Sequence, residues 1–268
     1  MVQREWDIEG SDPEAVRLVG SDRVLAVLIE LARHPEGIGL DEMARAVKSP
    51  KPTVHRALAS LRHSGFAAQD GHGRYMLGDE FLRIAFTHYE ARSEHLLMQP
   101  ILERLVAWCS ESAHYSVLDG AFVVYRAKAD PPRAAIKLAS SIGGRNPAHA
   151  TAVGKLLLSY SLLDEDALRS WIGTRTLERP TERTKTTVRD LQREFSKIRE
   201  LGYAVEDQEN EAGVNSLALP VFGASSSIPN GAISVSALTY RTPLQMLIND
   251  LPAIRRIIGA ETKETLAL

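Results

Sequence analysis

The sequence predicts an α+β protein: a small helical N-terminal domain closed by a β-hairpin, a connecting helix, and a larger C-terminal domain with a mainly antiparallel sheet. Three observations support this fold class. Short stretches of helical apolar spacing fill residues 21–65, a hairpin signal follows them, and strand-like runs then mix with helices without a regular βαβ rhythm. A chain of 268 residues also exceeds the usual size of one domain.

The composition is ordinary for a globular protein. Apolar residues make up 44 % and charged residues 25 % of the chain, and no stretch approaches the ~20 apolar residues that a membrane span needs. The single cysteine, Cys109, excludes an internal disulfide framework and a four-cysteine zinc site, and residues 1–12 lack the apolar core of a secretory signal. We therefore expect a cytoplasmic protein with no membrane partner, no metal and no cofactor.

The charge is unevenly spread along the chain. The formal net charge of −2 excludes a strongly basic architectural protein, but a DNA-binding protein needs only a local basic patch. Lys and Arg outnumber Asp and Glu by eight to six in residues 21–78, whereas residues 1–20 hold two against five. This distribution favours nucleic-acid contact by the N-terminal domain.

The first two helices are indicated by their ends and by their apolar spacing. Ser21 stands where it can cap a helix, and residues 34–37 end that helix because Pro and Gly resist its continuation. A short second helix begins at Asp41. The residues expected to face the core are Val24, Leu25, Leu28, Ile29 and Ala32 in the first helix, and Met43, Ala44 and Val47 in the second.

A third helix has the sharpest start signal. Ser49 is predicted as its cap and Pro50 as its first residue, because proline is tolerated in the first helical turn. Gly65 is predicted to end the helix. Its apolar stripe comprises Val54, Leu58 and Leu61.

These helices predict a winged helix-turn-helix. In that arrangement the third helix lies in the major groove of DNA, and its first turns meet the bases. The residues placed there are Lys51, Thr53, His55 and Arg56. Two short strands around Asp70-Gly71 predict a hairpin that forms the wing and brings Arg74 near a phosphate. The alternative is a small helical subdomain with a solvated polar face.

Helices and strands alternate irregularly beyond the wing. Residues 79–95 predict a helix that joins the two domains and pairs with the same helix of a partner subunit, and a long helix follows over about 96–110. Strands are predicted at 113–118, 121–127, 135–139, 203–207, 217–222 and 232–238. Further helices are predicted near 147–160, 164–172 and 187–201, and a final one begins at the cap pair Thr242-Pro243.

Five segments of the chain resemble the IclR family of bacterial transcriptional regulators. They are Pro50–Arg56, Gly73–Gly78, His149–Lys155, Gly202–Asn210 and Ala232–Ser236. The resemblance implies a winged helix-turn-helix followed by a GAF-like effector domain. It also implies a homodimer, or a dimer of dimers, on a palindromic operator in double-stranded DNA. We accordingly expect an N-terminal tail over 1–19, a DNA-binding domain over 20–79, a linker helix over 80–95 and an effector-binding domain over 96–268.

The resemblance further implies an effector site in the second domain. Ala152 and Val153 would present backbone N–H groups at a helix start, which attract an anionic or carbonyl oxygen. The residues that would complete the site are Glu206, Ser216, Ser234 and Ser236. The last two serines are two positions apart on one strand and therefore share a face. These groups suit a ligand with both an acceptor and a donor, such as an aromatic or hydroxy-acid catabolite.

The chain departs from the family at three of these positions. Pro52 replaces a serine that is common at the start of the recognition helix. Glu206 and Ser216 stand where relatives that bind small oxo-acids often carry Asp and Cys. The effector therefore cannot be copied from a relative, and the operator, the sign of regulation and the choice between dimer and tetramer stay open.

Each of these site residues also has a structural interpretation. Ser234 and Ser236 can simply hydrogen-bond a neighbouring loop, because most side-chain hydrogen bonds go to backbone or water. Residues 206–209 are more often a solvated loop than a ligand set, and His149 is more often structural than catalytic.

Two other functions compete with regulation by an effector. The first is an enzyme that acts on a small metabolite through His149, Glu206, Glu209 and Ser216. The sequence lacks the His-Glu-x-x-His and Gly-x-Ser-x-Gly motifs, so no catalytic residue is assigned. The second is a DNA-binding dimer that takes no ligand. A ligand-controlled regulator is favoured over both.

Overall fold

The computed structural model describes residues 20–90, 93–132, 138, 140–223 and 227–265. The chain divides into two compact units, of which the first ends at Arg92 and the second begins at Ser93. Within these ranges the first unit shows one apolar core and the second shows two. Among the described residues, no helix combines the length and the apolar character that crossing a membrane requires.

The first unit is three helices and a short hairpin, followed by a fourth helix. Its elements are α1 (Ser21–Ala32), α2 (Leu40–Ala46), α3 (Lys51–His63), β1 (Ala67–Gln69), β2 (Tyr75–Leu77) and α4 (Asp79–Glu90). The predicted stripe of α3 is buried, and so are Met43 and Ala44 of α2. The prediction for α1 is wrong in part, because Val27 and Leu31 are its buried residues whereas Leu25 and Ile29 are 56 % and 50 % exposed. The apolar residues of α1 lie on more than one side of the helix, so their spacing alone does not identify the buried side. Ile38 and Tyr75 exchange two backbone hydrogen bonds of 2.8 Å, which attach the hairpin to the loop between α1 and α2.

Both predicted serine caps are wrong. Ser21 is the first residue of α1, and Gly20 stands at the cap position without a side-chain hydrogen bond. Pro50 is the cap residue of α3, and the Ser49 hydroxyl donates to the Val47 carbonyl instead. Pro52 lies in the first turn of α3 and has no N–H to offer a cap, so Ser49 finds its partner in the preceding loop.

The second unit contains a six-stranded sheet with helices on both faces. Its elements are α5 (Ser93–Cys109), β3 (Ser112–Asp119), β4 (Phe122–Ala129), β5 (Arg145–Pro147), a 3₁₀ turn (Ala148–Ala150), α6 (Ala152–Ser161), α7 (Glu165–Ile172), α8 (Val188–Leu201), β6 (Ala204–Asp207), β7 (Val214–Phe222), β8 (Pro229–Leu238), α9 (Leu244–Asn249) and α10 (Leu251–Thr265). The strand order is β5-β4-β3-β8-β7-β6, and every neighbouring pair is antiparallel. The predicted α+β class is confirmed.

Several predicted boundaries of this unit need correction. The strand β5 was missed, and the strand predicted at 135–139 falls largely outside the described residues. The single helix predicted from Thr242 is two helices, α9 and α10. Thr242 does not cap α9, because its hydroxyl donates to the buried carboxylate of Glu111 at 2.6 Å. The linker predicted to be continuous over 79–95 consists of α4 and the start of α5, with 91–92 outside the described residues.

The two faces of the sheet differ in character. On one face, alternate residues such as Tyr115, Leu217 and Val235 pack against α5, α9 and α10 in a continuous apolar core. On the other face, Ala218 and Ala232 form an apolar cluster with α6, α7 and α8. Residues of β3, β7 and β8 that alternate with the first core therefore point toward α6.

Helix α6 carries a fully buried lysine. Lys155 has no exposed surface, and its Nζ lies 2.6 Å from Glu209 Oε1 and 2.9 Å from Glu194 Oε1. Glu194 belongs to α8 and Glu209 follows β6, so one ammonium joins three elements. Burial alone would raise the pKa of Glu194, but the charge of Lys155 lowers it. Lys185 Nζ, 2.9 Å from Glu209 Oε1, adds a second and more exposed cation.

We expect Lys155→Met to lower the free energy of unfolding of the second unit by about 3–5 kcal/mol, because it leaves Glu209 buried beside only one partly exposed cation. Urea denaturation followed by Trp108 and Trp171 fluorescence measures this change. The double variant Lys155→Met/Glu209→Gln should recover most of the loss, since residue 209 then carries no charge and Glu194 still lies 3.8 Å from Lys185. Lys185→Met serves as the matched control and should cost less than about 1 kcal/mol. Equal losses for the two lysine variants would contradict the assigned role of Lys155.

Candidate functional site

The predicted DNA-contacting residues occupy the N-terminal half of α3. Lys51, His55 and Arg56 are exposed, and Thr53 is half-buried. The opposite side of the helix packs into the core of the first unit. Lys51 Nζ lies 2.7 Å from Asp41 Oδ1, but both side chains are mostly exposed, so this ion pair holds the lysine only weakly. The arrangement presents cationic and hydrogen-bonding groups along one strip of an exposed helix.

The wing is built on a short turn. Asp70 Oδ1 accepts hydrogen bonds from the backbone N–H groups of His72 at 2.9 Å and Arg74 at 2.8 Å. The bond from Arg74 is the main cause that lowers the pKa of Asp70. The Arg74 guanidinium donates to the Gly37 carbonyl through Nε and Nη2, although the residue as a whole is exposed. Arg74 therefore fixes the wing to the α1–α2 loop while keeping its charge at the surface.

The predicted serines of the second unit do come together. Glu206, Ser216, Ser236 and Ser112 are directly paired across β6, β7, β8 and β3, and so form one row across the face that points toward α6. Within this row the Ser216 hydroxyl donates to Ser236 Oγ at 2.9 Å. The next row along the strands contains Ala218, Ser234, His114 and Lys128. We call the polar residues of these two rows the polar face.

The start of α6 offers two backbone donors. Thr151 Oγ1 accepts from Gly154 N at 3.0 Å, and Lys155 N donates to the Thr151 carbonyl. The N–H groups of Ala152 and Val153 have no acceptor among the described residues. Both residues are buried and belong to the apolar cluster that contains Ala218, the partner of Ser234. The helix start therefore lies beside the polar face.

Glu206 is buried, contrary to the expectation of a solvated loop over 206–209. Glu206 is 2 % and Glu209 3 % exposed. Glu206 Oε1 accepts from the backbone N–H groups of Glu209 at 2.6 Å and Asn210 at 3.1 Å, so the carboxylate closes the turn after β6. Burial raises the pKa of Glu206 to about 7. The solvated-loop interpretation failed because the partners of both carboxylates come from the turn itself and from distant lysines.

Sequence reasoning missed a second group of polar residues on the same face. His114 Nε2 lies 2.8 Å from Ser140 Oγ, and its ring centroid is 5.0 Å from that of Tyr125. The Tyr125 hydroxyl accepts a hydrogen bond from Asn146 Nδ2 at 2.8 Å, so this group of polar residues extends to β5. The signal was present in β3, where Ser112, His114 and Ser116 alternate with apolar residues. Polar residues at every second position of a buried strand indicate a polar patch on one face.

The residues proposed for an enzymatic alternative are engaged elsewhere. His149 Nε2 lies 2.8 Å from the Glu178 carbonyl, and burial lowers the pKa of His149. Ser216 donates to another serine rather than to a histidine or a carboxylate. Across the described ranges, no group of three or more His, Cys, Asp or Glu side chains is arranged to hold a metal ion.

Comparison with known proteins shows which family combines these two units. Residues 95–256 match the family described as "Bacterial transcriptional regulator IclR C-terminal", and residues 21–71 match the IclR helix-turn-helix domain. The transcriptional regulator KdgR of Escherichia coli K12 is 31 % identical over 224 residues, which cover 82 % of this chain and 82 % of KdgR. These matches extend over both units.

Solved structures agree with this assignment. A regulator from Rhodococcus sp. RHA1 has a TM-score of 0.75 and 31 % identity, over 91 % of this chain and 98 % of that one. The inducer-binding domain of a PobR double mutant from Acinetobacter, solved with 3-hydroxybenzoic acid, has a TM-score of 0.57 and 29 % identity, over 64 % of this chain and 97 % of that one. The chain therefore belongs to the IclR family of bacterial transcriptional regulators.

Proposed function

We propose that this regulator binds a palindromic operator through its first unit and that a small-molecule effector bound in its second unit controls that binding. The observation that carries the proposal is the polar face, which is mostly buried and lies beside two backbone N–H groups of α6 that have no acceptor among the described residues. The DNA-binding domain spans 20–79 after a tail over 1–19, the linker over 80–95 comprises α4 and the start of α5, and the effector domain spans 96–268. We place the protein in the cytoplasm, where its operator is, and assign it no catalytic activity, since Ser216 and His149 have structural partners.

The DNA-binding residues divide by the part of DNA that they reach. Lys51 at the start of α3 and Arg74 in the wing contact phosphates, which provide affinity without sequence preference. Thr53, His55 and Arg56 contact base edges in the major groove. This division is supported by the exposed strip on α3, although Arg74 shares its guanidinium with the Gly37 carbonyl.

We expect Thr53→Ala and Arg56→Ala to relax sequence preference at a cost of ~1–3 kcal/mol each, because they remove contacts to base edges. Lys51→Ala should instead weaken binding to all DNA sequences alike. It should also reduce the salt dependence of binding by about one phosphate contact. Fluorescence anisotropy with a selected operator and its single-base variants, at several salt concentrations, measures both effects. Arg33→Ala, an exposed arginine outside α3 and the wing, is the control. Unchanged binding in every α3 variant would contradict the proposed interface.

The protein acts as a homodimer or a dimer of dimers. One recognition helix reads half of a palindrome, so two copies must present α3 to half-sites about 34 Å apart. Helix α4 exposes four large apolar side chains, Phe81, Leu82, Ile84 and Phe86. A second copy of α4 is the proposed partner for this surface, because Leu82 and Phe86 share one side of the helix and exposed apolar side chains of this size are typical of an interface.

We expect Leu82→Glu/Phe86→Glu to dissociate the subunits and weaken operator binding at least tenfold, because charges replace apolar contacts at the seam. Sedimentation velocity at micromolar concentration measures the assembly. Tyr240→Ser is a matched surface control, since Tyr240 is also exposed but lies in the second unit. A wild-type protein that sediments as a monomer even with operator present would refute the assembly.

The effector lies on the polar face beside the start of α6. The backbone N–H groups of Ala152 and Val153 bind its acidic group, and the residues that surround the rest are Glu206, Ser216, Ser234 and Ser236. A small hydroxylated acid suits this site. Its carboxylate meets the backbone donors, and its hydroxyl meets side chains that can both donate and accept. The 3-hydroxybenzoic acid bound by the related PobR domain supports an aromatic member of this class.

We expect an acidic effector to bind more tightly at pH 6 than at pH 8. The pKa of Glu206 is about 7, so the neutral form dominates below that pH and the anionic form above it. The anion repels a ligand carboxylate, and affinity should therefore fall by up to about tenfold per pH unit above 7. Calorimetry with 3-hydroxybenzoate over this range measures the effect. Glu206→Gln keeps an oxygen for the turn amides and should flatten the profile, whereas the neighbouring Asp207→Asn should not. The same slope in Glu206→Gln as in wild type would exclude Glu206 from the site.

A further inference from the structure

His114 is a buried residue with a hydrogen-bond partner at only one of its two ring nitrogens among the described residues. It lies in β3, is 1 % exposed, and uses Nε2 for its contact with Ser140 Oγ. Its Nδ1 has no hydrogen-bond partner in the described part of the chain. Ser116, two residues further along the same face of β3, is fully buried, and its hydroxyl also lacks a partner among the described residues. Buried polar atoms without partners are rare in native proteins and call for an explanation.

The electrostatic setting of His114 disfavours an ionic partner. Burial, followed by the charge of Lys128, lowers the pKa of His114 to about 3, so the imidazole is neutral at physiological pH. Lys128 Nζ is already bound to the Ser140 carbonyl at 2.6 Å and to Asp130 Oδ2 at 3.1 Å. The lysine charge is therefore compensated by the protein. A neutral imidazole and a hydroxyl together suit a neutral polar group on the ligand.

A hydroxyl is a neutral polar group that fits the donors and acceptors at this position. Ser140 Oγ can donate to His114 Nε2 or accept from it, so Nδ1 is free to be either an acceptor or a donor. The Ser116 hydroxyl has the same freedom. A hydroxyl can donate and accept, so it fits either state of Nδ1 and of Ser116 Oγ. Unlike a carboxylate or an ammonium, it brings no charge into this buried position. One ligand hydroxyl is therefore the simplest partner for both atoms.

The position of His114 connects it to the proposed effector site. His114 is paired with Ser234 on the neighbouring strand, where strands lie about 4.8 Å apart. Ser234 is paired in turn with Ala218, which packs in one cluster with Ala152 and Val153 at the start of α6. A small ligand whose acidic group binds those backbone donors thus extends across Ser234 toward His114.

We propose that His114 Nδ1 and Ser116 Oγ bind a hydroxyl group of the effector and thereby select hydroxylated acids over their unsubstituted counterparts. This inference rests on the proposed effector site and specifies its other end. The residues that bind the acidic group do not distinguish the two classes, because both carry the same carboxylate. A site built to hydrogen-bond a hydroxyl rejects the analogue that lacks it, since its buried polar groups are then left unpaired.

The test is calorimetric titration of the full-length protein with 3-hydroxybenzoate, 4-hydroxybenzoate and benzoate. Wild type is expected to bind at least one hydroxybenzoate ten times more tightly than benzoate, or better. Ser116→Ala should reduce that preference several-fold and His114→Phe should abolish it, while the affinity for benzoate changes less than twofold. Ser159→Ala is the matched control, because this buried serine lies outside the polar face and its hydroxyl is already bound to the Leu156 carbonyl. It should leave the preference unchanged.

The outcomes separate this inference from the proposed function. Binding of benzoate and both hydroxybenzoates with equal affinity would overturn the hydroxyl site and leave the effector site standing. An unchanged preference in Ser116→Ala would also overturn the hydroxyl site. It would indicate that internal water binds His114 Nδ1 and Ser116 Oγ. If wild type binds none of the three acids, the ligand class of the proposed function is wrong and the hydroxyl site falls with it. Should His114→Phe not fold, Ser116→Ala decides, since it removes one atom without a protein partner.

Discussion

The buried contact between Lys155 and Glu209 is the constraint on which the second unit depends. A fully buried ammonium is tolerated only when carboxylates compensate it closely, and here they come from α8 and from the turn after β6. Lys155 lies just after the first turn of α6, so the same contact fixes the backbone donors at the helix start relative to Glu206. Two parts of the proposed effector site are therefore held by one ion pair that itself stays out of contact with solvent.

The two faces of the sheet have different roles. One face stabilises the second unit, and the other carries the proposed effector site. The face against α5, α9 and α10 is mainly apolar and supplies a continuous core, and its buried Asn215 donates to the Thr242 carbonyl. The face toward α6 mixes alanines with serines, His114 and Glu206, so close packing and buried hydrogen-bonding groups alternate within the same strands. Because an unpaired buried polar group costs about 1–3 kcal/mol, such a face is expected where a ligand completes it. In the first unit, one side of α3 packs into the apolar core and the other side forms the exposed strip.

Much of this fold could be predicted from the sequence, because apolar spacing and turn residues give direct signals of helices and hairpins. Helical spacing located α3 through Val54, Leu58 and Leu61, and the Asp70-Gly71 turn located the hairpin of the wing. Predictions failed where the outcome depends on a local hydrogen bond or on an element too short to show a pattern. Ser49 stands at a plausible cap but bonds to Val47, β5 has only three residues, and the burial of Glu206 depends on a turn that closes over its own carboxylate. The effector residues were implied by family resemblance, whereas the alternation around His114 in β3 was visible in the sequence and was overlooked.

The central claim is that effector and operator binding are coupled, and reciprocal titration tests it most directly. Operator affinity is measured by fluorescence anisotropy with and without saturating 3-hydroxybenzoate, and ligand affinity by calorimetry with and without operator, at one salt concentration. Thermodynamic linkage requires both affinities to change by the same factor, and the account predicts a factor of roughly 5–150. A ligand that binds the protein while operator affinity stays constant would contradict control by an effector.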